Sequence, residues 1–243
     1  MNLCKRLSVS LIALAAGSAT AGEFFTYPSG SQLFTYTNGS FQSTNVTSGV
    51  TNYAGSAGQF NGFYSNVASP GIPPAESLLS FFCIEIVQNA VLAPPSVPYN
   101  VTTSSAAWAP GVYDNLRRLY DVAYPNKAQG DYWNGGATNF GAFTGTDAAA
   151  FQLAVWEIVF DTGLNLSAGN FHTNGVVIGA AQAQTWLSSL ASDTGYTNWT
   201  LYQFTNASAQ DYVTATYSVP EPGSLALAGL ALAGLGFVRR RQS

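Results

Sequence analysis

Phe81-Phe82-Cys83-Ile84-Glu85-Ile86-Val87 is the stretch on which the fold turns. Strand alternation places Phe81, Cys83, Glu85 and Val87 on one face and Phe82, Ile84 and Ile86 on the other. Both faces carry apolar residues, so a strand running from Ser77 to Val87 belongs at the buried centre of a sheet. Its counterpart is Thr146-Asp147-Ala148-Ala149-Ala150-Phe151-Gln152-Leu153-Ala154-Val155-Trp156-Glu157-Ile158-Val159-Phe160-Asp161. This is a helix by periodicity, with Thr146 or Asp147 as its cap and Gly163 as its stop. Phe151, Val155, Ile158 and Val159 share its apolar face, and Gln152 and Trp156 flank that face one turn apart. Glu157 and Asp161 fall on the opposite side. A buried amide without a partner costs about 1–3 kcal/mol, so Gln152 must be satisfied or chemically consumed.

Other elements group around these two. Glu23 to Val67 reads as a β-meander, in which Leu33 to Thr37 ends at a hairpin turn on Asn38-Gly39 and Gly58 to Tyr64 forms a further strand. Ser69 to Pro74 and Ala93 to Pro98 are proline loops. Asp114 to Ala123 is a helix with Leu116, Leu119, Tyr120 and Ala123 inward and Arg117 and Arg118 toward solvent. Asn126 to Thr144 is a long polar loop that carries Trp133. Gly179 to Leu190 is another helix, with Ala183, Trp186, Leu187 and Leu190 inward. Trp199 to Phe204 and Asp211 to Tyr217 are closing strands, the last half-exposed. The sum is an α+β chain: a β-rich, sandwich- or barrel-like body at 22–217 with a small helical sub-region.

Both ends look like sorting devices. Lys5 and Arg6, the apolar run Leu7 to Ala16, and Ala19-Thr20-Ala21 make residues 1–21 a secretory signal peptide. At the other end, Pro220-Glu221-Pro222 precedes an apolar run from Leu225 to Val238, which Arg239, Arg240 and Arg241 close. The run is shorter than the roughly 20 residues of a comfortable membrane span, and the arginines would remain cytoplasmic. The pattern over 218–243 resembles the PEP-CTERM sorting signal of Gram-negative bacteria. That resemblance implies export, transient membrane anchoring and processing by an exosortase-type enzyme. Such a chain passes through an inner-membrane-anchored form and ends at the cell surface or in the extracellular matrix.

Charge narrows the partners. Of the 8 basic residues only Arg117, Arg118 and Lys127 lie in the body, against all of the 12 acids except Glu221. A body this acidic repels nucleic acid and anionic lipid. The chain has 2 cysteines, and removal of the signal peptide takes Cys4. The lone Cys83 of an exported protein is inert and buried, paired between chains, or chemically used. One cysteine and one histidine, His172, make no zinc pattern, so no metal or cofactor is expected. His172 itself reads as a loop residue.

Phe82-Cys83-Ile84-Glu85 and Phe151-Gln152-Leu153-Ala154-Val155-Trp156 together resemble the two signature motifs of bacterial, adhesin-type thioester domains. In that family an aromatic-Cys-aliphatic-acid motif supplies the thiol, and a Thr-Gln-x-Ala-aliphatic-Trp motif supplies the glutamine. The match departs at Phe151, where the family usually has threonine, and the segment between the motifs is shorter than in the adhesins. The resemblance implies an internal thioester between Cys83 and Gln152, with Glu85 and Trp156 in support.

The residues read the same way on chemical grounds. A thiolate is the nucleophile, and Glu85 is placed to take its proton, although a nearby carboxylate also raises a thiol's pKa. Holding thiol and carboxamide in contact supplies about 7–11 kcal/mol of a barrier. Gln152, read near the helix start, would feel the positive end of the helix dipole, and Trp156 would roof the bond against water. An amine- or hydroxyl-bearing polymer attacking the thioester would then be joined to the protein once, without enzymatic turnover. Two rivals stand beside this reading. One is a non-reactive structural or carbohydrate-contacting matrix protein with an inert Cys83. The other is a hydrolase with Cys83 as nucleophile and His172 as base.

Overall fold

A computed structural model describes residues 32–66, 77–88, 90, 97–124, 143 and 145–217. The signal segment, the Ser69–Pro74 loop, nearly all of the Asn126–Thr144 loop and the C-terminal sorting segment lie outside the described residues. Among the described residues eight strands form one antiparallel sheet: β1 (Gln32–Ser48), β2 (Thr51–Asn66), β3 (Ser77–Cys83), β4 (Val97–Pro98), β5 (Asn100–Thr102), β6 (Phe171–Thr173), β7 (Trp199–Thr205) and β8 (Tyr212–Tyr217). Their order is β4-β1-β2-β3-β8-β7-β5, and β6 also pairs with β1. Among the described residues three α-helices accompany the sheet: α1 (Val112–Ala123), α2 (Gly145–Phe160) and α3 (Ala180–Ser189). The chain is thus α+β and β-rich. Among the described residues no helix is long and apolar enough to cross a membrane.

β3 lies centrally, between β2 and β8. Phe81 and Phe82 are fully buried on opposite faces of it. The strand stops at Cys83, four residues earlier than the alternation predicts. Ile84 to Gln88 bend away, so Glu85 does not share a strand face with Cys83, and Val87 is exposed.

The first hairpin differs from its sequence signal. β1 runs straight through Asn38-Gly39, because Thr37 is left without a partner between the pairs Tyr36–Gly62 and Asn38–Asn61. A bulge absorbs the extra residue and pairing resumes. The turn falls instead at Gly49-Val50, where Ser48 pairs with Thr51 and Gly49 adopts a left-handed φ of 61°.

α2 is buried all round. It packs on β1, β2 and β3 and also touches β6, α1 and α3, so residues 148 to 158 are all buried. The amphipathic reading therefore fails at Glu157, which is fully buried rather than turned outward. Phe151 sits at the heart of an aromatic cluster, 4.4 Å from Phe82 and 4.9 Å from Tyr120 between ring centroids. Three consecutive alanines, 148 to 150, let α3 approach closely.

Further differences have local causes. Val97–Pro98 is not loop but pairs with Leu33 and Phe34. His172 lies in β6 opposite Thr47, because the Asp161 carboxylate gathers the N–H groups of Gly163, Asn170 and Phe171 and so folds the chain back after α2. Arg117 is not free in solvent: its Nε donates to the Trp199 carbonyl at 2.7 Å, and its guanidinium lies over the Tyr113 and Tyr196 rings. β8 is not half-exposed, since it sits between β3 and β7, with Thr214 and Thr216 buried.

The start of α3 tests this packing. Gly179 has φ 88°, and a Cβ there would meet the Ala150 nitrogen at 2.8 Å and the Thr146 carbonyl oxygen at 2.9 Å. Gly175, at φ 71°, faces open space. A left-handed non-glycine residue costs about 1–2 kcal/mol, so Gly175→Ala should lose about that much in denaturant unfolding. Gly179→Ala should lose clearly more, because α3 must also move off α2. Equal losses would contradict the close contact.

Candidate functional site

Cys83 and Gln152, 69 residues apart in sequence, are joined by two hydrogen bonds. The Cys83 N–H donates to Gln152 Oε1 at 2.8 Å, and Gln152 Nε2 donates to the Cys83 carbonyl at 2.7 Å. The sheet explains this fit. Cys83 stands opposite Tyr212 in β8, but the ladder bond there runs from the Ile84 N–H to the Asp211 carbonyl, at 3.0 Å. In antiparallel pairing the backbone groups of the intervening residue then face the other edge. On that edge the last β2 partner is Phe60, opposite Phe81. The Gln152 carboxamide fills the slot beyond it, so a side chain from α2 takes the place of a neighbouring strand.

The carboxamide orientation is fixed by chemistry. An N–H needs an acceptor and a carbonyl a donor, so only one arrangement satisfies both bonds. Cys83 is 5% exposed and Gln152 1%, which keeps the site nearly dry. A strand side chain stands roughly perpendicular to the sheet, whereas the backbone grips the amide from the side. The thiol therefore leaves the same residue across the direction of the grip.

Glu85 and Trp156 belong to the same network. Trp156 Nε1 donates to the Glu85 carbonyl at 3.2 Å. Gln210 Nε2 donates to that carbonyl at 2.7 Å, and the Asp211 N–H donates to Glu85 Oε1 at 3.0 Å. The Tyr99 hydroxyl in turn donates to the Gln210 carbonyl at 3.0 Å. Sequence reasoning missed Gln210 and Asp211, whose only signal was a polar pair just before the final strand.

Burial, and then the Glu85 charge, push the Cys83 thiol well above its ordinary range. Glu85 and Asp211 are themselves raised, chiefly by burial. The resting thiol is therefore protonated, and Glu85 does not hold a standing thiolate. The helix dipole contributes little, because Gln152 is the eighth residue of α2 and the dipole acts within the first turn. The group that does point at Gln152 Oε1 is the Cys83 N–H.

Residues 218–241 match the PEP-CTERM protein-sorting motif. That motif implies export, membrane-associated sorting and processing by an exosortase. No curated protein matches the chain. Two solved structures are similar to the body. One is the N-terminal domain of the Streptococcus pyogenes pilus tip adhesin Cpa, at 12% identity over 66% of this chain and 84% of that one, with a TM-score of 0.39. The other is an N-terminal thioester domain of a surface protein from Clostridium perfringens, a cysteine-to-alanine mutant. It is 16% identical over 58% of this chain and 89% of that one, with a TM-score of 0.37.

The remaining candidates lie elsewhere. His172 Nδ1 is 3.1 Å from the Gly169 carbonyl, and none of its hydrogen bonds reaches the Cys83 network. Pro220, Glu221, Pro222, Arg239, Arg240 and Arg241 fall outside the described residues. Among the described residues no three His, Cys, Asp or Glu side chains converge as metal ligands.

Glu157, one turn beyond Leu153, is the buried acid that the sequence placed outside. Its Oε1 accepts the Asn165 N–H at 2.6 Å, while its Oε2 has no partner. Burial raises its pKa from 4.5 to about 7. The folded state thus binds this proton more tightly than the unfolded chain, so its contribution is full below about pH 4.5 and is lost as pH rises through 7. Unfolding free energy measured against pH should fall across that window. In Glu157→Gln the fall should flatten, and an unchanged slope would exclude Glu157 as its source.

Proposed function

We propose that this chain is an exported attachment protein that joins itself covalently to a surface or matrix polymer through a Cys83–Gln152 thioester. In the first step the Cys83 sulfur attacks the Gln152 carboxamide carbon. A C–S bond forms, the C–N bond breaks, and the nitrogen leaves as ammonia with the thiol proton. In the second step an amine or hydroxyl of the target attacks the same carbon, and Cys83 recovers its proton. The target is left joined to Gln152 by an amide or ester bond. Each copy reacts once, so the protein is not an enzyme.

The observation that carries this reading is the two-point grip of the Cys83 backbone on the Gln152 carboxamide. The grip fixes the carboxamide beside the residue that bears the thiol, and a sulfur held in contact with the carboxamide carbon would supply about 7–11 kcal/mol toward the reaction. The Cys83 N–H stabilises the oxyanion of the tetrahedral intermediate, and the bond to the Cys83 carbonyl orients the departing nitrogen. Trp156, tethered to the Glu85 carbonyl, screens the bond from water. The sorting tail delivers the chain to an exosortase, and the processed body meets its target at the cell surface or in the extracellular matrix.

A second reading has a specific observation in its favour. The same two bonds give both polar atoms of the Gln152 amide a partner, and burial keeps the Cys83 thiol protonated. On that reading Cys83 is an inert core residue of a non-reactive matrix protein. Intact mass separates the two. The thioester form is lighter than its sequence by one ammonia and regains mass as methylamine adds, and Cys83→Ala does neither. A full-mass native protein that ignores methylamine would support the inert reading.

A further inference from the structure

Resting on the thioester reading, we infer that Tyr212 is the positioning residue for Cys83: its ring is the wall that turns the thiol toward Gln152. The step it serves is formation of the thioester. A C–S bond forms between Cys83 and the Gln152 carboxamide carbon, the C–N bond breaks, and the nitrogen leaves as ammonia with the thiol proton. No other reactant is required, but the sulfur must approach from the right side.

Strand geometry makes that direction a problem. Phe82 points toward the helices, with its ring centroid 4.4 Å from that of Phe151 in α2. Neighbouring strand residues face opposite ways, so the Cys83 side chain leaves β3 on the other face. Gln152 meets Cys83 at the edge of the strand, on backbone groups. A thiol standing straight off its face would miss the carboxamide. It has to lean toward the edge that β2 has left, and a cysteine side chain has three staggered positions open to it.

Tyr212 closes the opposite lean. It stands directly across from Cys83 in β8. The ladder bond falls on the next pair along, from the Ile84 N–H to the Asp211 carbonyl. Cys83 and Tyr212 are therefore a non-hydrogen-bonded pair, the kind whose side chains come closest, and both stand on one face. Phe81, two residues before Cys83, is fully buried on that face, with its ring centroid 5.9 Å from that of Tyr212. One ring thus stands on the β8 side of the thiol and another behind it along the strand. The remaining lean is toward the β2 side, beyond Phe60, the last β2 partner, where the Gln152 carboxamide sits.

The wall is itself braced. The rings of Phe60 and Tyr99 lie 5.4 and 5.8 Å from that of Tyr212. A hydrogen bond joins the Tyr212 and Tyr99 hydroxyls, and the Tyr99 hydroxyl donates to the Gln210 carbonyl at 3.0 Å. The Gln210 side chain in turn holds the Glu85 carbonyl, just past Cys83. The ring opposite the thiol and the chain beyond the thiol are therefore fixed by one connected network.

The test follows ammonia loss over time by intact mass, in the full exported chain. The wild-type mass decides the underlying reading: if no ammonia is lost, the thioester itself is absent and the proposal falls with it. Where the thioester forms, Tyr212→Leu keeps an apolar core but removes the ring, and it should lose ammonia about 10²-fold more slowly. Tyr212→Phe restores the ring without the hydroxyl and should recover the rate. Phe204→Leu separates steering from stability, because Phe204 lies on the same face opposite Tyr212, one strand further from Cys83. It should lose ammonia at the wild-type rate even where denaturant unfolding shows it to be as destabilised as Tyr212→Leu. Should Tyr212→Leu not fold, Tyr212→Met takes its place with the same expected slowing. Wild-type ammonia loss without the ring overturns the proposal. Equal slowing in Phe204→Leu does so too, since lost packing would then explain both, and so does a Tyr212→Phe that fails to recover, since the hydroxyl would then be the acting group.

Discussion

Two hydrogen bonds between one carboxamide and the backbone of one residue tie the early strands of this chain to its central helix. They occur where β2 has diverged from β3 and left the Cys83 N–H and carbonyl without a strand partner. A buried pair of that kind is costly if unanswered, and Gln152 answers both groups at once. Much of the surrounding structure serves to put it there. The Phe82–Phe151 contact joins the residues next to Cys83 and Gln152. Trp156, one turn along α2, holds the Glu85 carbonyl on the far side of the bend. Strand end, helix register and aromatic packing are thus set against one another at a single point.

Burial gives this arrangement two opposite chemical consequences. It holds the Gln152 carboxamide against the backbone of the residue that bears the thiol, in a nearly dry setting. It also holds the thiol protonated and makes sulfur a poor leaving group, which protects any thioester once formed. A reactive bond in an exported protein has to survive sorting and transit before it meets its target. The proposed bond, set in a nearly dry core, would be sheltered until then. The acidic body, with few amines of its own, adds protection against self-reaction.

The candidate pair was legible because its chemistry depends on residue type: a lone thiol on an apolar strand and an amide among apolar neighbours both demand explanation. The central position of β3 was legible from its two apolar faces, and the three helices from their periodicity. Contacts made by backbone were not. The bulge at Thr37 converts Asn38-Gly39 from a turn into strand, and nothing in those two residues announces it. The clamp from Gln210 and Asp211 depends on where β8 enters the sheet. Glu157 was misplaced because α2 packs on every side, so no solvent face remained for the acid that the helical period assigned to one. His172 became a strand residue through Asp161, whose carboxylate draws the following loop back onto β1.

The most direct measurement is peptide mapping of the native protein after pepsin digestion at low pH, where a thioester survives. The account predicts one branched species in which the peptide containing Cys83 is joined to the peptide containing Gln152, lighter by ammonia than the two together. Two separate peptides, with a free Cys83 thiol and an unaltered Gln152 amide, would contradict it.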